Sequence, residues 1–349
     1  MQYEVDYMAV GDGEKGGDAI CMRFGNLSGP RNEWSVVVID GGFTDSGENL
    51  VNHITKLYGT NDVNLVIATH PDADHILGLH VVLEKLNVAQ LAMHLPWNHA
   101  SDIKELFKNS DISTTRLETK IEKALKNASD LEDFAISKGI EVIEPFQGME
   151  GFGGILKILG PSKEYYEGLI PQFRETPKAK ESVFETIGKS FSDAINWIED
   201  QFDIDLLDDD TDTTSAENNS SVISFFQIGE RKILFTGDSG KTALHNALDF
   251  AEANNLDLTN LSLFDVPHHG SKRNISSKIL NRISASMAFV SAPKESIKHP
   301  SKKVTNGLKK KGMNVGITRG QNICHYEGGL NRSGWGPLQL EEFHEKVED

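Results

Sequence analysis

Cysteine is almost missing from this chain: 349 residues hold two, Cys21 and Cys324. Two thiols exclude a disulfide framework and a thiolate zinc site. Long apolar runs are missing too, because no stretch approaches the ~18 residues that a membrane span needs. The opening Met1-Gln2-Tyr3-Glu4-Val5-Asp6 lacks the basic and apolar regions of a secretory signal. These absences together predict a cytoplasmic protein with no membrane partner. Basic charge is scarce, since 35 Lys and Arg face 52 Asp and Glu for a formal net charge of -17. Such a surface repels a phosphate backbone at long range and disfavours indiscriminate DNA binding. The short basic runs, Lys302-Lys303 and Lys309-Lys310-Lys311, read as solvated lysines on a helix face.

A chain of this length can bury a sizeable core. Residues 1–95 read as strands and turns: Tyr3 to Val10, Ala19 to Phe24, Trp34 to Ile39, Val63 to Ala68 and Leu91 to Leu95. Helices are predicted from about Glu48 to Tyr58 and over Ile76 to Leu86. Residues 100–215 change character. Leu117, Ile121, Leu125, Ala128, Leu131 and Phe134 recur at helical spacing and predict one amphipathic helix. Val183, Phe184, Ile187, Phe191, Ala194, Ile198 and Phe202 predict a second, with a strand at Gly154 to Leu159 between them. Glu199 to Asp212 then holds eight acids and no base, which reads as a mobile, solvated loop. From Ser221 the strand pattern returns at Val222 to Ile228, Lys232 to Thr236, Leu261 to Val266, Ala288 to Ser291 and Asn314 to Thr318. Two strand-rich parts flanking a helical stretch predict one split core over 1–340, with a helical and acidic insertion at about 100–215.

The stretch Thr69-His70-Pro71-Asp72-Ala73-Asp74-His75-Ile76-Leu77-Gly78 carries the chemistry. It puts two imidazoles and two carboxylates at the end of a buried strand. Buried charge is costly unless paired or bound to a cation, so the cluster asks for metal. Two further strand ends deliver polar groups, Gly237-Asp238 and His268-His269, and all three could meet at one edge of a sheet sandwich. Asp238 is the natural bridge between two cations. With a metal pair about 4 Å apart, a bridging water loses a proton near neutral pH and becomes the nucleophile. His94, His99, His245 and His325 read as ordinary surface or core histidines. Gly11-Asp12-Gly13-Glu14-Lys15-Gly16 fits a dinucleotide pattern literally, but no helix is predicted after it. Gly237-Asp238-Ser239-Gly240-Lys241-Thr242 has Phe235 where a P-loop needs glycine.

These pieces together resemble the metallo-β-lactamase superfamily, and most closely the hydrolase domain of ComEC-type DNA-uptake proteins. The matching pieces are Val10-Gly11, Gly17-Asp18-Ala19, Ile39-Asp40-Gly41-Gly42, Thr69 to His75, Leu159-Gly160-Pro161-Ser162 and Asn218-Asn219-Ser220-Ser221-Val222. They continue with Leu234-Phe235-Thr236-Gly237-Asp238, Val266-Pro267-His268-His269-Gly270-Ser271 and His299-Pro300. The membrane-spanning parts of ComEC proteins are missing. The resemblance implies an α/β fold, the four-layer αββα sandwich, with a site for two divalent ions, Zn2+ or Mn2+, at one edge. By motif, His70, Asp72, Asp74, His75, Asp238 and one of His268 and His269 would be ligands. His269 aligns better with the last ligand position, which leaves His268 as a substrate-binding candidate. Asp72 stands where the superfamily signature has histidine, a harder donor that shifts preference towards manganese. The family's middle histidine has no counterpart; Asn218, Asn219 and Ser220 occupy that place and are candidates for substrate binding.

The resemblance implies a phosphodiesterase or nuclease using a metal-bridging hydroxide, with DNA or RNA as substrate. Asp74 would orient the attacking water while ligating. His299 would hold a substrate phosphate or protonate the leaving oxygen. Two rival readings use the same fold. One is a hydrolase of a small nucleotide or other small molecule. The other is a partner-activated effector or complex subunit whose acidic insertion docks a protein.

Overall fold

The computed structural model describes residues 1–180, 197–202, 205–207, 209–328, 332 and 335–348. Two seven-stranded sheets form its centre. In spatial order the first is Ile323–Glu327, Gln2–Tyr7, Ala19–Gly25, Trp34–Gly41, Leu65–Ile67, Gln90–Ala92 and Glu141–Ile143. The second is Asn314–Ile317, Ala285–Val290, Leu261–Asp265, Arg231–Phe235, Ile223–Ile228, Leu156–Gly160 and Glu150–Gly151. In each sheet the strands that carry site loops run parallel to a neighbour. Trp34–Gly41 pairs in parallel with Leu65–Ile67, and Arg231–Phe235 with Leu261–Asp265.

Alternation along the strands explains the layering. In Trp34–Gly41, Val37 and Ile39 join Phe226, Ile233, Phe235 and Leu263 in the core between the sheets. Val36 and Val38 point the other way, into a core with Leu50, Ile76, Leu79 and Val82 of the helices Thr44–His53 and Ala73–Lys85. A strand apolar on both faces belongs between two layers. On the far side, Leu234, Phe264 and Val315 pack against Leu244, Leu248, Val304 and Leu308 of the helices Lys241–Ala253 and Lys302–Lys310. The order is helix, sheet, sheet, helix, the αββα sandwich that the resemblance implied. Among the described residues no helix is long and apolar enough to cross a membrane.

Three local expectations need correction or qualification. The periodic run around Leu117 to Phe134 forms two helices, Thr114–Ala124 and Lys126–Ser137. Leu125 between them has φ -112 and ψ 43. A one-residue break leaves the i, i+3, i+4 spacing intact, so periodicity is blind to it, while the second helix turns to pack on Ala73–Lys85. The helix expected over Val183 to Phe202 lies mostly outside the described residues, and Trp197–Glu199 at its end is a strand paired with Lys346–Glu348. The acidic run is not a free solvated loop over its described part. Asp210 accepts hydrogen bonds from His245 Nε2 at 3.1 Å and from Ser276 Oγ. Asp212 Oδ2 accepts from Thr242 N at 2.8 Å, and Lys241 Nζ donates to the Asp209 carbonyl at 2.6 Å. Asp200, buried, takes Asn306 Nδ2 at 2.8 Å and Lys310 Nζ at 2.7 Å. The carboxylates tie this segment to the outer helices of the second sheet.

Of residues 100–180, the strands Glu141–Ile143, Glu150–Gly151 and Leu156–Gly160 extend the edges of the two sheets, and helices make up much of the rest.

Candidate metal centre

Each side chain of the site sits just past the end of a strand. His70 follows Leu65–Ile67, and Asp74 and His75 begin the helix Ala73–Lys85. That helix lies very close to Trp34–Gly41: a Cβ on Gly78 would stand 1.9 Å from the Gly41 carbonyl oxygen. Only glycine allows such an approach, and it brings His75 over the sheet edge. Asp238 follows Arg231–Phe235 by way of Gly237, whose φ of 50 favours glycine. His268 and His269 follow Leu261–Asp265, and His268 N donates to the Gly237 carbonyl at 3.1 Å, tying the two loops together.

The side chains converge on the Asp238 carboxylate. Its Oδ2 lies 3.8 Å from His70 Nε2 and 3.6 Å from His268 Nε2. Its Oδ1 lies 3.6 Å from His75 Nε2 and 4.0 Å from His269 Nε2. Asp74, His75 and His269 form one grouping of potential ligand atoms, and Asp18, His75 and Asp238 another. His70, His75, Asp238 and His269 are all buried.

The Nδ1 atoms face away from Asp238 and are held by oxygen. His75 Nδ1 donates to Asp40 Oδ2 at 2.8 Å. Thr69 Oγ1 donates to the same carboxylate at 2.6 Å, so at 2.9 Å it accepts from His70 Nδ1. His269 Nδ1 donates to the Ser291 carbonyl at 3.1 Å. A protonated Nδ1 leaves the Nε2 lone pair free, which is the tautomer a metal ligand needs.

The electrostatics of the site follow from burial and from its crowded imidazoles and carboxylates. Burial, and then the neighbouring imidazoles and Arg174, push His70 well below the ordinary histidine range. Burial also acts against charge on His75, but the carboxylates of Asp238, Asp40 and Asp18 raise it well above that range. Burial, reinforced by Asp18, Asp74 and Asp72, pushes Asp238 well up, against the pull of His75. His70 Nε2, His75 Nε2 and Asp238 Oδ1 are buried with no hydrogen-bond partner among the described residues. Orphaned buried atoms are expensive unless something else engages them, and three that face one another fit divalent cations.

Not all candidates join this group in the same way. Asp72 has both oxygens held by Arg174, with Nη2 to Oδ2 at 2.6 Å. Asn218 Nδ2 lies 3.1 Å from His268 Nδ1 and donates to Thr214 Oγ1, also at 3.1 Å. Asn219 is turned towards Gly240, and Ser220 lines a small cavity with His70, His94 and Tyr166. The His299 ring stacks on His268 with centroids 5.9 Å apart. Burial, with His268, Lys298 and Arg273 nearby, pushes His299 down to about 4.

Sequence reasoning missed two carboxylates. Asp40, fully buried, orients His75 directly and His70 through Thr69. Asp18 Oδ2 lies 3.8 Å from His75 Nδ1, and its Oδ1 lies 3.8 Å from His269 Nδ1. The available signal was a lone acid closing an apolar strand, Val36 to Ile39 before Asp40.

The family model described as the metallo-beta-lactamase superfamily matches residues 31–286. No curated protein matches the chain. Among solved structures it is similar to a diphosphatase from the PhnP family, at 11% identity over 93% of this chain and 98% of that one, with a TM-score of 0.42. It is similar to a long form RNase Z from yeast at 11% identity, 83% of this chain, 37% of that one and a TM-score of 0.38. The Rm3 metallo-beta-lactamase matches at 14% identity, 74% of this chain, 76% of that one and a TM-score of 0.29. These are likenesses of fold and carry nothing about substrate.

Proposed function

The chain belongs to the metallo-beta-lactamase superfamily, and from that premise we propose that it is a divalent-metal-dependent phosphodiesterase. The observation that carries the choice of substrate is the charge at the site. On a chain of net charge -17, the cations whose fields bear on His70 and His299 are Arg174, Arg273 and Lys298. Those side chains add positive charge beside carboxylates that two divalent ions would neutralise, which suits a phosphate better than a neutral ester or amide. The ComEC-like resemblance extends the substrate class to DNA or RNA, and a small nucleotide uses the same chemistry.

In this reading His70, Asp74, His75, Asp238 and His269 would hold two ions, Zn2+ or Mn2+. When bound, these ions supply Lewis-acid charge at the phosphoryl oxygens and acidify a water. Asp74 would orient that water while ligating. Asp40 keeps the His70 and His75 rings aimed at Asp238. His299 is neutral at pH 7, so it donates a hydrogen bond to a phosphate oxygen and is not the acid for the leaving group.

The test is cleavage of single- and double-stranded DNA, of RNA and of bis-p-nitrophenyl phosphate, each with manganese or zinc. Asp74→Ala and Asp238→Ala run alongside. Metal-dependent cleavage lost in both variants is expected, and the preferred polymer names the substrate. Absence of cleavage with every substrate would overturn the reading in favour of an effector activated by a protein partner, or of a non-nucleic substrate.

A further inference from the structure

We propose that His268 is a metal ligand, completing with His70 the ion position on the Oδ2 side of Asp238. The inference deepens the metallohydrolase reading and rests on it. His269 satisfies the last ligand position on the Oδ1 side, so by sequence pattern alone its neighbour has no metal to hold. The structure places that neighbour against the other oxygen of Asp238.

Position is the first argument. His70 Nε2 and His268 Nε2 stand 3.8 and 3.6 Å from Asp238 Oδ2, as His75 Nε2 and His269 Nε2 stand 3.6 and 4.0 Å from Oδ1. Two ligands of one tetrahedral ion, each about 2.0–2.1 Å from it, are about 3.3 Å apart. All four separations, 3.6 to 4.0 Å, exceed that span by less than 1 Å. One carboxylate therefore faces two pairs of imidazoles, one pair per oxygen.

The tautomer is the second argument. Asn274 Nδ2 donates to the Asp238 carbonyl at 2.9 Å and the Ser239 carbonyl at 3.2 Å, which orients its amide. Its Oδ1 then accepts from His268 Nδ1 at 3.0 Å. His268 Nε2 is left with its lone pair towards Asp238, as in His70, His75 and His269. A residue binding a phosphate oxygen would need the opposite arrangement, with Nε2 as donor.

The backbone is the third. His268 and His269 have φ of 49 and 54, two consecutive non-glycine residues in the left-handed region. That conformation is costly for both, and it places both rings against the same carboxylate. Fourth, the histidine nitrogens paired with Oδ2 are those of His70 and His268. The segment where the family has its middle histidine offers Asn218, whose amide nitrogen donates to Thr214 Oγ1, and Arg174 holds both oxygens of Asp72.

The experiment is metal titration of metal-free protein with Zn2+ and Co2+, read by bound equivalents, calorimetry and the cobalt absorption spectrum. His268→Gly is the variant, because glycine accepts the left-handed backbone, and His268→Ala is the second. Wild type is expected to bind two equivalents. The variants should keep one and bind the other at least 100-fold more weakly, with a changed cobalt spectrum and a native circular dichroism spectrum. Free imidazole should restore the second equivalent in His268→Gly, which a purely structural role would not allow. Two equivalents at wild-type affinity in folded variants would overturn the inference alone. A wild type that binds no metal would overturn the metallohydrolase reading, and this inference with it.

Discussion

Arg174 Nη2 reaches both carboxylate oxygens of Asp72, at 2.6 Å for Oδ2, while its Nε donates to Glu217 Oε1 at 3.0 Å. One guanidinium thus joins the loop leaving the first sheet to the turn that enters the second. Glu217 is 2% exposed and the Arg174 side chain 64%. Arg174→Ala removes the side-chain partner of a buried carboxylate and should cost about 1–2 kcal/mol, less than a fully buried pair because water screens the arginine. Urea unfolding measures this. Adding Glu217→Gln to the variant should recover most of the loss, and equal midpoints for wild type and Arg174→Ala would show the bridge idle.

Asp238 carries its charge in a crowded place. Asp18, Asp40 and Asp265 are also buried, and burial pushes all of them up together with Asp238. Metal-free protein should therefore be stabilised by Asp238→Asn, by about 1 kcal/mol, since one of several crowded carboxylates is neutralised. The same change should abolish the rise in melting temperature that metal gives wild type, a rise worth about 2.7 kcal/mol at a hundredfold excess over Kd. Thermal melts with chelator and with metal read both signs, and a destabilised chelated Asp238→Asn would refute the crowding argument.

Asp40 reaches Asp238 only through other residues. Its Oδ2 holds His75 Nδ1 at 2.8 Å and Thr69 Oγ1 at 2.6 Å. Asp40→Asn keeps the shape and weakens the acceptor, so metal affinity should fall by about 10–100-fold while the fold persists. Calorimetric titration checks it, and unchanged affinity would reduce Asp40 to a strand-end turn residue.

A second buried network sets acid stability away from the site. Asp6 is fully buried, and burial would raise its carboxyl, but Arg332, His53 and their hydrogen bonds bring it down to about 2. Arg332 Nη2 donates to Asp6 Oδ2 at 2.8 Å, and Tyr58 Oη donates to the same atom at 2.5 Å; Glu4 pairs with Arg332 as well. A carboxylate depressed on folding contributes stability that is present above pH 3.8 and lost as pH falls towards 2. The contribution is roughly 2 kcal/mol. Asp6→Asn should be less stable than wild type at pH 7, with the gap closing between pH 4 and 2. A gap independent of pH over that range would refute the assignment.

Much of the site was legible in the residues alone. A buried strand can end in a His-Asp-Asp-His loop only if something neutralises the charge, and the apolar run before His70 shows that the strand is buried. The strand-rich halves by themselves implied one split core, and the resemblance to the metallo-β-lactamase superfamily implied its αββα layering. Asp18 and Asp40 were not legible, because each looks like a turn acid until the rings it faces are known. The break at Leu125 was invisible for a different reason: helical spacing continues across it, and packing on the helix Ala73–Lys85 decides the bend. The acids at Asp210 and Asp212 read as solvated because sequence shows their charge and not the His245, Ser276 and Thr242 groups that engage them.

What the residue order determined by itself was local: which strands are apolar on both faces, which loops follow them, and which donor types those loops carry. Only the tertiary structure decided which donors face which. His75 begins the helix Ala73–Lys85 beside the first sheet and Asp238 lies in a loop of the second, far apart along the chain, and yet His75 Nε2 stands 3.6 Å from Asp238 Oδ1. The pairing of His268 with the Oδ2 side and His269 with the Oδ1 side was equally beyond the sequence, because adjacent residues normally point apart. Left-handed backbone at both positions turns the rings towards one carboxylate, and that conformation is held by the loops packed around it. The chain therefore specified the kinds of ligand, while the folded sheets set their distances and directions, which is where the chemistry of a metal site lies.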